Sequence, residues 1–133
     1  MIVVDANVLL LYLQQGELAL KVRHADSEWR MPVLWRFEAA SGALMMRRAG
    51  RMDAADALAM LKKGQSLFQA CEEDVSSDEA CKAAEAYGLT AYDGSYVALA
   101  ERLHCKLLTL DKEILEKAAR IAFSPEMFLG FPS

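Results

Sequence analysis

The sequence predicts an α/β fold built on a mainly parallel sheet, and three observations carry that expectation. Helical and strand patterns alternate along the 133 residues, with no Pro/Gly/Ser-rich linker between them. Lys106–Leu110 (Lys-Leu-Leu-Thr-Leu) is a nearly continuous apolar run, as in a parallel strand covered on both faces. Acidic residues close two of the strand-like runs, Asp5 after Met1–Val4 and Asp111 after Lys106–Leu110. Carboxyl ends of strands are where open α/β sheets place their ligands.

Met1–Val4 is β-branched and reads as a buried first strand. The helix that follows begins near Ala6-Asn7, and Val8–Leu13 is apolar all round. A helix with no polar face is buried or covered by a second chain, and cover by a partner is the expectation here. Glu17–Ala25 is a short helix, Glu28–Pro32 carries a weak strand signal, and Pro32 marks a turn. Leu34–Ala49 is a long helix with Leu34, Phe37, Ser41, Leu44 and Met45 on one face, and Glu38 interrupts that stripe. Gly50 ends it, and Met52–Phe68 is another helix. Ala70–Val75 fits either a short acidic strand or a loop. Ser76-Ser77-Asp78 offers an N-cap for a helix that stops at Gly88. The next helix opens at Tyr92-Asp93-Gly94 and runs to His104, with Asp93, Tyr96, Val97, Ala100 and Leu103 on one face. After Lys106–Leu110, Lys112–Ala119 is a helix and Arg120–Phe123 an edge strand, giving four to five strands in all. The tail, with Pro125 and Pro132, reads as a loop.

Bulk properties narrow the class. A chain of 133 residues, 54% hydrophobic, suits one globular domain over residues 1–133, since a domain usually takes ~100–200 residues. Met-Ile-Val-Val-Asp has neither the basic region nor the apolar core of a signal peptide. The longest apolar run, Val8–Leu13, is far short of the ~20 residues of a membrane helix. Cys71, Cys81 and Cys105 are odd in number and lack metal-type spacing, so they are expected to be reduced thiols of a cytoplasmic protein. The formal charge is -4, which argues against holding nucleic acid by bulk electrostatics. Arg36–Lys63 is the one basic region, with six basic and three acidic residues against six and twelve from Gly64 onward. Any phosphate-binding surface would draw on it. Arg36 and Arg47 nevertheless point away from Glu38 at 100° per residue, so a solvated face is the expectation for Arg36. Neither His24 nor His104 has a nucleophile at motif spacing, and there is no P-loop and no GxGxxG.

The chemistry centres on Asp5, Glu38, Asp93 and Asp111. Carboxylates converging on one crevice repel by roughly 1–4 kcal/mol per close pair, a cost that a divalent cation removes. All-oxygen ligands favour a hard ion, Mg²⁺ or Mn²⁺, over Zn²⁺. Such ions suit phosphoryl transfer, because they lower the pKa of a water and stabilise a leaving oxygen. The alternative is structural. Asp is a common N-cap, and Asp5, Asp93 and Asp111 each stand at a predicted helix start, while Glu38 could be a solvated helix residue. Capping and metal binding are compatible, since a cap uses only one of the two oxygens.

Val3-Val4-Asp5-Ala6-Asn7-Val8-Leu9, Pro32 with Phe37-Glu38, Tyr92-Asp93-Gly94-Ser95-Tyr96-Val97-Ala98-Leu99-Ala100 and Leu108-Thr109-Leu110-Asp111-Lys112 follow one another in an order and spacing that resembles the PIN domain (PilT N-terminal type). The subgroup it resembles is the VapC-like toxins of toxin–antitoxin pairs. The resemblance covers the whole chain and implies a three-layer α/β/α sandwich. It also implies a Mg²⁺- or Mn²⁺-dependent endoribonuclease acting on RNA, a homodimer, and a small antitoxin protein over the acidic site. Asp5 and Asp93 would be the main metal ligands, with Glu38 and Asp111 completing the pocket. Asn7 and Thr109 would orient carboxylates or water from behind, or serve merely as helix cap and strand residue. Two further readings compete with it. One is a Rossmann-like phosphohydrolase or phospho-acceptor with Asp5 as nucleophile, which Asn at position 7 disfavours. The other is a non-catalytic protein-binding module whose acids only cap helices.

Overall fold

The computed structural model describes residues 1–131. Five strands form one sheet in the order β3-β2-β1-β4-β5, where β1 is Ile2–Val4, β2 Trp29–Pro32, β3 Glu72–Glu73, β4 Lys106–Leu108 and β5 Ala122–Phe123. Every pairing is parallel, so the acidic segment 72–73 is an edge strand and Arg120–Phe123 supplies the other edge. Strand order reverses between β1 and β4. That reversal opens a crevice at the strands' carboxyl ends.

Alternation along β1 decides what each layer covers. Ile2 and Val4 point to one side, where they join Val8, Leu9, Trp29, Trp35 and Phe68, while Val3 joins Tyr96, Val97, Leu99, Leu107 and Ile114 on the other. The first layer contains α1 (Ala6–Leu13), α2 (Glu17–Ala25), α3 (Trp35–Arg48) and α4 (Ala54–Phe68). The second contains α5 (Ser77–Tyr87), α6 (Ala91–Leu103) and α7 (Lys112–Lys117). The result is the three-layer α/β/α sandwich that was expected.

Local signals set most boundaries. Ser76 and Glu79 form a reciprocal capping box at the start of α5, and Gly88 ends that helix at φ 69°. In the first layer, Trp29 and Phe68 stack at 5.8 Å, Trp35 meets Phe68 edge-on, and the Arg23 guanidinium lies 4.9 Å from the Trp29 ring centre.

Four expectations are corrected. The α3 stripe faces outward: Phe37 is 77% and Met45 70% exposed, whereas Trp35, Ala39 and Ala43 are buried. Close approach of α3 to α1 demands small residues at the contact, as Gly42 beneath Leu10 shows, and a hydrophobicity pattern weighted to large side chains misses such a face. Cover for α1 comes from the chain's own α2, α3 and α4; Val8 and Leu9 are fully buried and Leu10–Leu13 half-buried. Arg36 is not a solvated residue. Its Nε and Nη2 donate to both oxygens of Glu72 at 2.6 and 2.7 Å, and Trp35 Nε1 donates to the same carboxylate at 2.8 Å. Finally, Pro125 starts a short helix, α8 (Pro125–Leu129), capped by Ser124; Pro132 lies outside the described residues.

Among the described residues, no helix is long and apolar enough to cross a membrane.

Gly94 is where the second layer closes most tightly. A Cβ there would strike the Ala80 carbonyl and the Ala84 backbone of α5. Gly94→Ala is therefore expected to destabilise the protein by roughly 1–3 kcal/mol through overpacking, despite alanine's higher helix propensity. Urea unfolding of the two proteins measures the difference.

Candidate active site

Four separate parts of the chain reach the crevice between β1 and β4: the ends of both strands, α3 and the start of α6. Asp5 follows β1 and caps α1, its Oδ1 accepting the Ala6 amide at 2.8 Å. Its Oδ2 accepts the Thr109 hydroxyl at 2.7 Å, across a buried contact that ties the ends of β1 and β4 together. Thr109 also takes the Asp111 amide on its Oγ1 at 3.0 Å, and Asn7 Oδ1 takes the Leu110 amide at 3.2 Å. With Thr109 N turned to the Phe123 carbonyl and Leu110 N to Asn7, the chain leaves the β1 ladder after Leu108. The strand therefore ends two residues earlier than its apolar run suggested.

Asp5, Glu38, Asp93 and Asp111, with Asn7, line one cavity of about 200 Å³. Capping accounts for only part of this set. Asp111 caps α7 through Oδ1 alone, which accepts the Glu113 and Ile114 amides at 2.8 and 3.1 Å. Asp93 is not the cap of α6: Thr90 is, and it accepts the Asp93 amide at 3.2 Å, with the Asp93 carboxylate beside it in the first turn. Glu38 lies inside α3, and its Oε1 accepts the Tyr96 hydroxyl at 2.6 Å. The structural alternative does not account for Glu38, which is half-buried against Tyr96 and not solvated, and Asp93 is not an N-cap.

A larger cavity, about 820 Å³, lies elsewhere, between α5, α6 and α7. It is lined by residues of both signs, including Lys82, Glu101, Lys117 and Arg120. The small acidic cavity is the chemically distinctive one, because like charges stand there without a cation. Among the described residues, no salt bridge reaches any of the four acids.

Burial without a counter-charge raises their proton affinity. Desolvation pushes Asp5 from 3.8 up to about 7, the Thr109 bond opposing and Glu38 adding to the rise. Glu38 is raised by burial and by Asp93, against the Tyr96 bond. Asp93 is raised by burial and by Asp111. Tyr96 itself, enclosed beside Asp5 and Glu38, is held well above the ordinary phenol value and so remains a donor.

A family model of the PIN domain matches residues 2–121. The chain belongs to the PIN domain family. Ribonuclease VapC3 of Pyrobaculum aerophilum is 32% identical over 122 residues, 87% of this chain and 93% of that one. Exonuclease VapC9 of the same organism is 41% identical over 81 residues, 61% of this chain and 60% of that protein. The crystal structure of PAE2754, also from Pyrobaculum aerophilum, superposes with a TM-score of 0.72 at 30% identity, covering 97% of this chain and 93% of that one.

Within this PIN domain the donor set is chemically suited to a hard dication: oxygens only, several raised in proton affinity, none neutralised. No three acids among the described residues stand close enough together to hold a cation between them. Tyr96 is the site residue that sequence reasoning missed. It stands three residues after Asp93 on the same helix face, and a buried phenol requires a hydrogen-bond partner; that requirement was the available signal. The basic residues do not enter the pocket.

A proton-linked cost follows from Asp5. The folded state binds more protons than the unfolded chain between 3.8 and about 7, so this residue's contribution makes stability fall as pH rises through that window and level off above it. At roughly 1.4 kcal/mol per unit, the ceiling is on the order of 4 kcal/mol. Asp5→Asn is expected to be more stable than the parent at pH 8 and no more stable at pH 4, as read by thermal melts in EDTA.

Proposed function

We propose that the protein is a Mg²⁺- or Mn²⁺-dependent endoribonuclease, the toxin of a toxin–antitoxin pair, acting in the cytoplasm. The observation that carries this reading is the convergence of four carboxylates, from four separate segments, on one cavity that no basic side chain lines. Family membership and the names of the relatives point the same way. Asp5 and Asp93 would hold the ion, with Glu38 and Asp111 completing its shell directly or through water. When bound, the ion supplies a water of lowered pKa and positive charge at the scissile phosphate.

The protein's own groups prepare that site. Thr109 holds the Asp5 carboxylate in place and Tyr96 holds Glu38, so neither acid must reorganise to bind. Asn7 pins the β4–α7 connection that carries Asp111. An in-line attack of water needs no covalent enzyme intermediate.

Arg47, Arg48, Arg51, Lys62 and Lys63 make no salt bridge among the described residues. They are among the cations available for RNA beyond the pocket. The exposed apolar face of α3 and α4, with Phe37, Leu44, Met45 and Leu58, supports a protein partner, the second copy of a homodimer or the antitoxin.

Total RNA should be cut internally in Mg²⁺ or Mn²⁺ and left intact in EDTA. Asp93→Ala should lose at least about 100-fold in rate and should no longer arrest growth when expressed alone. Equal cleavage by the Asp93→Ala protein, or in EDTA, refutes the reading. Release of mononucleotides from an end, without internal cuts, would make it an exonuclease. Tyr96→Phe is expected to weaken Mn²⁺ binding by about 10-fold with the fold intact, measured by titration calorimetry.

A further inference from the structure

A second cavity, about 300 Å³, opens on the same rim of the sheet as the acidic one. Val33 and Leu34 of the β2–α3 turn, Asp74 and Val75 of the β3–α5 loop and Tyr92 of α6 form its walls. Tyr92 immediately precedes Asp93, so one turn of α6 serves both cavities. Its position is unusual for a large aromatic: Tyr92 is 65% exposed, although every residue from Gly94 to Ala100 is buried. Among the described residues its hydroxyl makes no hydrogen bond.

The loop opposite Tyr92 is held in place. Arg102 Nη2 donates to the Asp74 carbonyl at 2.7 Å, and Arg102 Nη1 to both Glu79 oxygens at 3.1 and 3.0 Å. Glu79 in turn closes the α5 capping box. The charged groups of this cavity are both carboxylates, Glu73 and Asp74, beside the hydroxyls of Ser76, Ser77, Ser95 and Tyr92. Glu73 is shared with Arg30 at 3.6 Å, whereas the exposed Asp74 carboxylate has no partner among the described residues. An anionic phosphate is therefore repelled. A neutral, flat group bearing N–H donors fits.

We propose that this cavity receives an unpaired base of single-stranded RNA, adjacent to the phosphate that lies in the acidic pocket. Tyr92 stacks on the base, and the Asp74 carboxylate accepts a hydrogen bond from its amino group. Cytosine, adenine and guanine have that group, and uracil does not. Stacking on an aromatic side chain is the common means of holding a splayed base. This inference rests on the ribonuclease reading and extends it to the class of base recognised.

The test couples enzyme and substrate. A short RNA with one mapped cut is made with an abasic residue at each position in turn. At one position beside the cut, base removal should raise KM by about 10-fold with little change in kcat. Tyr92→Ala should raise KM for intact RNA by a similar factor and should be indifferent to base removal at that position, while Tyr92→Phe retains the parent behaviour. Uridine there should bind more weakly than cytidine, and Asp74→Ala should abolish the difference. If no position is coupled to Tyr92, or if uridine and cytidine are equal in the parent, the proposal is overturned.

A second measurement does not depend on cleavage. 2-Aminopurine placed at successive positions should be quenched at one of them by the Asp5→Asn protein, and at none by Asp5→Asn/Tyr92→Ala. Quenching without any RNA cleavage by the parent refutes the nuclease reading and keeps the base site. Cleavage without Tyr92-dependent quenching refutes the base site and keeps the nuclease.

Discussion

The hydroxyl of Thr109 against the carboxylate of Asp5 joins two strands more than a hundred residues apart in sequence, at the place where the sheet changes direction. Both groups are almost wholly removed from water. An ionised acid in such a place needs compensation, and hydrogen bonds from Thr109 and the Ala6 amide supply only part of it. Glu38 and Asp93 add to the deficit instead of relieving it. The fold thus holds a local electrostatic debt that hydrophobic packing on both faces of the sheet must offset.

That arrangement separates structural work from chemical work within the same side chains. Asp5 and Asp111 both stabilise helix starts, each through its Oδ1 alone. Glu38 and Asp93 do no such work, and Glu38 is steered by a phenol from the opposite layer. Acids that stabilise the fold and acids that burden it meet in one small cavity. Strain of that kind is the usual mark of a functional site.

Both helical layers use small residues at their closest helix contacts, Gly42 beneath Leu10 in the first and Gly94 in the second, and the first adds large rings. Around Trp29, Trp35 and Phe68 the first layer is built from large rings. The second depends on small residues, with Gly94 against Ala80 and Ala84 letting α5 and α6 approach closely. This closeness sets where the first turn of α6 sits, and with it both Asp93 and Tyr92. Backbone contact in the second layer and acid placement at the crevice are therefore one problem.

Much of this was legible from residue order alone. Strand runs, the Ser76 cap, the Gly88 stop and the acids following β1 and β4 all depend on neighbours in sequence, and local stereochemistry fixes them. The same holds for the family resemblance, which is a matter of spacing. Three-dimensional packing alone decided which face of α3 is inward, because small residues at a close helix contact give no hydrophobic signal. It also decided that α1 is covered by its own chain, that Arg36 is committed to Glu72, and that Tyr96 meets Glu38. Each of these is a contact between distant segments, set by how the layers fit together and not by the preference of any one stretch.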